Sequence, residues 1–182
     1  MSVTATPLSL PPGYPRRFEE RVRLDDGRTV FLRPVIPGDA AELGFEIEHA
    51  DPETLHSRFF RSKVRVDEEL LTYLTVLDYD RRFALAAFAD SGVAIARYEG
   101  SPGSDVAEMA VAVKPEWRRI GLASVLLERL QAAARENGIR RLRADFLADN
   151  HAARALIDRA GFDAPVYQYG VGSVESDLTA QR

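Results

Sequence analysis

Apolar residues recur along the chain with two periods, and the changes of period divide it into strands and helices. The longest helical pattern runs from Ile120 to Asn137, where Leu122, Leu126, Leu130 and Ala133 fall on one face. Asn137-Gly138 supplies its C-terminal stop. A second helical pattern over Asn150–Ala160 sets Ala153, Leu156 and Ile157 on one face and ends at Gly161. Between the two, Leu142, Ala144 and Phe146 alternate as in a half-buried strand. The apolar run Val106–Val113 predicts a strand ahead of the long helix. A strand–helix–strand crossover of this length puts Val106–Val113 and Arg141–Phe146 in one sheet on parallel courses.

Upstream, the strand patterns come in pairs. Phe18–Leu24 and Thr29–Pro34 flank Asp25-Asp26-Gly27-Arg28, and Phe83–Ala89 and Val93–Tyr98 flank Asp90-Ser91-Gly92. Both tips are hairpin signals. Helices are expected over Pro37–His49, Pro52–Phe60 and Asp67–Leu74, the last opened by acidic residues that suit a helix N-terminus. Gly100–Ser104 reads as a loop, Pro165–Tyr169 as a last strand, and the chain from Gly170 as a short polar tail. Residues 1–15, rich in Ser, Thr, Pro and Gly, read as a flexible arm, leaving 16–182 as one domain. Hairpins followed by a crossover unit predict a mixed α/β (α+β) sheet.

Composition narrows the chemistry. The 182 residues carry a net charge of -4, which argues against nucleic acid as partner and suits an acceptor bearing a protonated amine. The absence of cysteine removes disulfides, thiolate nucleophiles and cysteine-based zinc sites. His49, His56 and His151 have no metal-ligand spacing, so no metal is expected. Without a signal-peptide pattern or a membrane-length apolar run, the expectation is a cytoplasmic protein with no membrane partner.

The segment between the strand Val106–Val113 and the long helix carries the candidate chemistry. The first N–H groups of a helix have no intrahelical partner, and the helix dipole adds positive potential there. A phosphate can sit on such a start if the backbone can be approached closely. Gly121 and Ala123 permit the approach, and Arg118 and Arg119 add formal charge. The alternative reading, small packing residues beside solvated arginines, is disfavoured by the position directly between a strand and the longest amphipathic helix.

Arg118-Arg119-Ile120-Gly121-Leu122-Ala123 resembles the Arg/Gln-x-x-Gly-x-Gly/Ala motif of the GNAT (Gcn5-related N-acetyltransferase) superfamily. The segment from Asn150 through Ala153 to Gly161-Phe162 resembles that family's Asn-x-x-Ala … Gly-Phe helix. Arg33-Pro34 through Asp39 is similar to the family's opening strand and helix. Within the superfamily, the Leu-Arg-Pro opening and His56-Ser57-Arg58-Phe59-Phe60-Arg61 resemble the bacterial Pat-type protein lysine acetyltransferases. The resemblance implies a GNAT fold, with a central sheet of about six or seven strands flanked by helices. It implies acetyl-CoA as cosubstrate. The pantetheine arm would pair with backbone around Ala110, Val111 and Ala112. The pyrophosphate would take the N–H groups of Arg118, Arg119, Ile120, Gly121, Leu122, Ala123 and Ser124, and Asn150 would bond the pantetheine or thioester side.

An amine attacking a thioester must first lose a proton, and a free lysine with a pKa of about 10.4 is mostly charged near neutral pH. A general base is therefore needed, and Glu108 is the candidate. Strand alternation puts it on one face with Ala110 and Ala112, among small apolar neighbours. The resemblance to Pat-type enzymes assigns it the same role; the alternative is an edge glutamate facing water. Asp105 is a second choice, read as a turn residue. Many GNAT enzymes place a tyrosine acid where this chain has Ile157, which cannot donate a proton. The expected acceptor is a protein lysine. Alternatives are a small amine (a polyamine, amino acid or aminoglycoside) or a non-catalytic acyl-CoA-binding role.

Overall fold

The computed structural model describes residues 10–50, 55 and 64–179. Eight strands form one sheet in the order β1-β2-β3-β4-β5-β6-β8-β7. They are β1 (Glu20–Arg23), β2 (Thr29–Pro34), β3 (Arg82–Phe88), β4 (Gly92–Gly100), β5 (Val106–Val113), β6 (Arg141–Leu147), β7 (Val166–Gln168) and β8 (Val171–Asp177). Among the described residues the helices are α1 (Ala40–His49), α2 (Glu68–Thr75), α3 (Leu122–Glu136) and α4 (His151–Ala160). Every neighbouring pair is antiparallel except β5 and β6, which the α3 crossover makes parallel, as the spacing requires.

α3 covers one face of the sheet. Its periodic Leu122, Leu126, Leu130 and Ala133 are each at most 1% exposed and share a core with Leu32, Leu85, Tyr98, Ala107 and Leu142. α4 extends this layer, with Ile157 against Ala144, Phe146 and Val174. On the opposite face, Ile47 of α1 and Leu74 of α2 share a smaller cluster with Leu55. Asp67 caps α2 by accepting from Leu70 N–H at 3.0 Å.

Several boundaries differ from the sequence reading. β1 starts at Glu20 because Arg16–Phe18 forms a 3-10 turn. The helix expected from Pro37 begins as another 3-10 turn, where Asp39 accepts from Ile36 N–H at 2.8 Å, and becomes α-helical at Ala40. Tyr14, in the expected arm, packs edge-on against Tyr79 at 5.8 Å. The helix expected over Pro52–Phe60 lies outside the described residues, apart from Leu55.

The sheet has one strand more than expected. The polar tail after Gly170 is β8, wedged between β6 and β7. Its inward residues are Gly172, Val174 and Ser176, so apolar alternation is nearly absent from its sequence. The inward glycine is required: a Cβ at Gly172 would meet Phe146 Cζ at 2.6 Å and Tyr167 Cε1 at 2.9 Å. Gly172→Ala is therefore expected to cost about 1–3 kcal/mol through overpacking, read as a lowered midpoint in urea denaturation.

Candidate active site

β5 and β6 pair only over Val106↔Arg141, Ala107↔Leu142 and Glu108↔Arg143, although β5 continues to Val113 and β6 to Leu147. Beyond Glu108 the strands part. On its other edge β5 stays paired with β4 from Gly100↔Ala107 to Ala94↔Val113. Two backbone bonds fix which groups face the gap. Toward β6, Arg141 N–H donates to Asp105 C=O at 3.0 Å; toward β4, Lys114 N–H donates to Val93 C=O at 3.0 Å. Alternation then turns the N–H and C=O of Met109, Val111 and Val113 into the gap. The backbone groups of Ala110 and Ala112 turn instead to Arg97 and Ile95 of β4. Of the three residues expected along the pantetheine arm, Val111 thus presents its backbone to the gap. Ala110 and Ala112 give small side chains on the face that carries Glu108.

At the far end of the gap the chain makes a tight turn. Pro115–Trp117 is a 3-10 turn, and Arg118 Nε donates to Val113 C=O at 3.0 Å, bracing the turn to the end of β5. Arg119 (φ 61°) and Gly121 (φ 84°) both adopt left-handed backbone, and α3 starts only at Leu122. Such alternating backbone presents successive N–H groups to one concavity. The helical bond from Val125 N–H to Gly121 C=O leaves the N–H groups of Leu122, Ala123 and Ser124 without intrahelical acceptors. The β1–β2 tip supports the turn: Asp25 N–H donates to Ile120 C=O at 3.4 Å, and Arg28 Nη2 to Glu116 C=O at 3.1 Å. Arg28 also stacks 4.1 Å over the ring of Trp117, which anchors the loop.

Glu108 stands at the fork, on the last paired position before the strands separate, with its side chain exposed on the face away from α3. Directly opposite it on β4 is Glu99. Tyr73 of α2 donates its hydroxyl to Glu99, Arg97 Nη2 lies 3.4 Å from the same carboxylate, and Arg82 Nε lies 3.9 Å away. The guanidiniums of Arg82 and Arg97 lie 4.7 Å and 5.0 Å from the Tyr73 ring centroid. Arg97 is 6% exposed, and its Nη1 has no hydrogen-bond partner among the described residues. Burial lowers the Arg97 pKa; burial, and then the bond to Glu99, raises that of Tyr73. Sequence reasoning missed this group. Arg97 and Glu99 do sit two apart in a strand and so share a face, but only the register brings that face against Glu108.

The Acetyltransferase (GNAT) family matches the chain over residues 46–162. The chain belongs to the GNAT acetyltransferases. An acetyltransferase of Pseudomonas aeruginosa is 32% identical over 144 residues, covering 76% of this chain and 77% of that protein. The acetyltransferase Pat of Mycolicibacterium smegmatis is 34% identical over 163 residues, covering 86% of this chain; the chain spans 48% of the length of that relative. Among solved structures, the GNAT domain of S. lividans PAT matches with a TM-score of 0.83 at 32% identity, covering 90% of this chain and 99% of that one. A more distant structure, yncA from Salmonella typhimurium with its cofactor acetyl-CoA, shares the fold at 20% identity, with a TM-score of 0.68 over 84% of this chain and 96% of that one.

Other residues of this GNAT chain take roles that sequence alone left open. Asn150 caps α4, its Oδ1 accepting from Ala153 N–H at 2.9 Å. Ile157 is 5% exposed in the core beneath α4. His151 is exposed in the first turn of α4. Tyr169 is 96% exposed, and Tyr167 accepts from Arg154 Nη1 at 2.8 Å. Asp105 holds the start of β6, its C=O accepting from both Arg140 and Arg141 N–H. His56, Phe59, Phe60, Arg61 and Lys63 lie outside the described residues; exposed Arg65 is 3.5 Å from Asp67.

Gly121→Ala tests the turn. A side chain there must adopt φ 84° and would meet Asp25 Oδ2 at 2.9 Å. The variant is expected to lose about 1–3 kcal/mol of stability and to bind acetyl-CoA more weakly, measured by thermal melting and by titration calorimetry.

Proposed function

We propose that the chain transfers an acetyl group from acetyl-CoA to the side-chain amine of a protein lysine, with Glu108 as general base. The observation that carries this reading is the position of Glu108 at the fork of β5 and β6. The cosubstrate fits the gap that opens there. Met109 and Val111, with the N–H of Val113, whose C=O already accepts from Arg118, offer backbone groups to the amides of a pantetheine arm, over a strand length of about 17 Å from Glu108 at ~3.4 Å per residue. At its end, the N–H groups from Arg119 through Ser124 receive the pyrophosphate; that of Arg118, also expected there, is already given to Pro115 C=O at 3.2 Å. Asn150 keeps its side-chain NH2 group for the pantetheine or thioester side while its oxygen caps α4.

Acetyl-CoA brings the acetyl carbon activated as a thioester. Glu108 takes the proton of the incoming ammonium, directly or through one water, which frees the nitrogen lone pair for attack. The new carbon–nitrogen bond forms as the carbon–sulfur bond breaks, and the sulfur leaves with the electron pair. Buried Ile157 offers no proton to that sulfur, so its protonation falls to solvent.

A protein acceptor is favoured over a small amine by the openness of the surface beside Glu108. Arg141, Arg143 and Asp145 of β6 are exposed there. Nor is the site an acidic trap for a small cation, because Arg82 and Arg97 accompany Glu99. The test is a thiol-release assay with lysine-containing proteins, polyamines, amino acids and aminoglycosides as acceptors. Turnover confined to small amines would overturn the protein-lysine reading. Glu108→Gln is expected to lower turnover by about 10²–10⁴-fold while acetyl-CoA affinity in calorimetry stays near that of the unsubstituted chain. Unchanged turnover would remove Glu108 from the mechanism.

A further inference from the structure

The β1–β2 turn lies outside the reaction scheme, yet it rests on the phosphate-binding turn. Its tip is fixed there by the Asp25–Ile120 backbone bond and by Arg28, which bonds Glu116 and stacks on Trp117. The two acidic residues of the tip are held differently. Asp26 accepts from Arg28 Nε at 2.6 Å. The Asp25 carboxylate has no donor or cation among the described residues and lies against Gly121, where an added Cβ would meet Oδ2 at 2.9 Å and Oδ1 at 3.4 Å. A carboxylate without a hydrogen bond, exposed, is thus parked beside the start of α3.

We propose that Asp25 is a resident counter-anion of the phosphate turn, which weakens the binding of CoA and acetyl-CoA and speeds the release of CoA. This rests on the assignment of the turn to the pyrophosphate. Without ligand, a negative charge beside a helix N-terminus interacts favourably with the helix dipole. With a pyrophosphate on the N–H groups of Leu122, Ala123 and Ser124, the same carboxylate becomes a like-charged neighbour. Its backbone is tied to Ile120 through its own N–H, so withdrawal is limited to rotation of its short side chain. The hairpin therefore opposes the ligand that the turn attracts, and sets affinity without touching the reacting atoms.

Calorimetric titration with CoA, which removes acyl transfer from the measurement, tests the proposal on the full chain. Asp25→Asn is expected to bind CoA about fivefold more tightly at low salt. Asp25→Ala should show the same gain, which excludes a new hydrogen bond from the asparagine amide as its source. The advantage should shrink as the Debye length falls from about 30 Å at 0.01 M to about 3 Å at 1 M salt. Ligand-free thermal melting of both variants should be equal to or slightly below that of the unsubstituted chain, because the dipole interaction is lost. Equal or weaker CoA binding by both variants, with normal binding by the unsubstituted chain, would show that Asp25 supports the turn and would overturn the proposal alone. No CoA binding by the unsubstituted chain would overturn both the proposal and the assignment of the turn.

Discussion

The separation of β5 from β6 after three paired residues is the constraint on which the site depends. Neither strand is loose. β5 is held by β4 along its whole length, and β6 is held by β8 from Arg141↔Asp177 to Leu147↔Val171. Two strands that each have a committed partner can diverge as the sheet twists without fraying. The divergence leaves backbone donors and acceptors of β5 facing a gap, and half-buried peptide groups require partners. An extended molecule carrying amide groups, laid along β5, supplies them as a third strand would. The hydrogen-bonding capacity of the site is thus a consequence of sheet topology rather than of special side chains.

That topology was partly legible in the sequence. The crossover from β5 through α3 to β6 could be read because Leu122, Leu126, Leu130 and Ala133 show helical spacing and the flanking runs are apolar or alternating. The turn could be read because a helix start next to Gly121 and two arginines has a physical use. β8 could not, since Gly172 and Ser176 occupy inward positions that an apolar residue usually marks. Gly172 is small because the Phe146 ring already fills the space, so the signal that would announce a strand was displaced into its neighbour. Without β8, β6 would be an edge strand with nothing to hold it away from β5. The least legible strand is therefore the one that keeps the gap open.

The two ends of the gap differ in their electrostatics. At the turn, helix dipole, N–H groups without intrahelical acceptors and two arginines gather positive potential beside the carboxylate of Asp25. At the fork, Glu108 and Glu99 are direct cross-strand neighbours on one face, an arrangement of like charges that destabilises a sheet unless it is compensated. The compensation is one-sided. Arg82, Arg97 and Tyr73 all gather around Glu99, and among the described residues none donates a hydrogen bond to Glu108.

This asymmetry separates the two carboxylates of the pair. Glu99 is engaged by two guanidiniums and a phenol. Glu108 accepts no hydrogen bond among the described residues and stands where the strands open. Arg97 reaches Glu99 from a nearly buried position, with Nη1 unpaired among the described residues. A charge so poorly solvated is retained only beside a counter-charge, and Glu99 is the carboxylate within reach. The buried arginine therefore holds Glu99 as its counter-charge. With Glu99 committed in this way, Glu108 is the carboxylate of the pair left at the fork without a hydrogen-bond donor among the described residues.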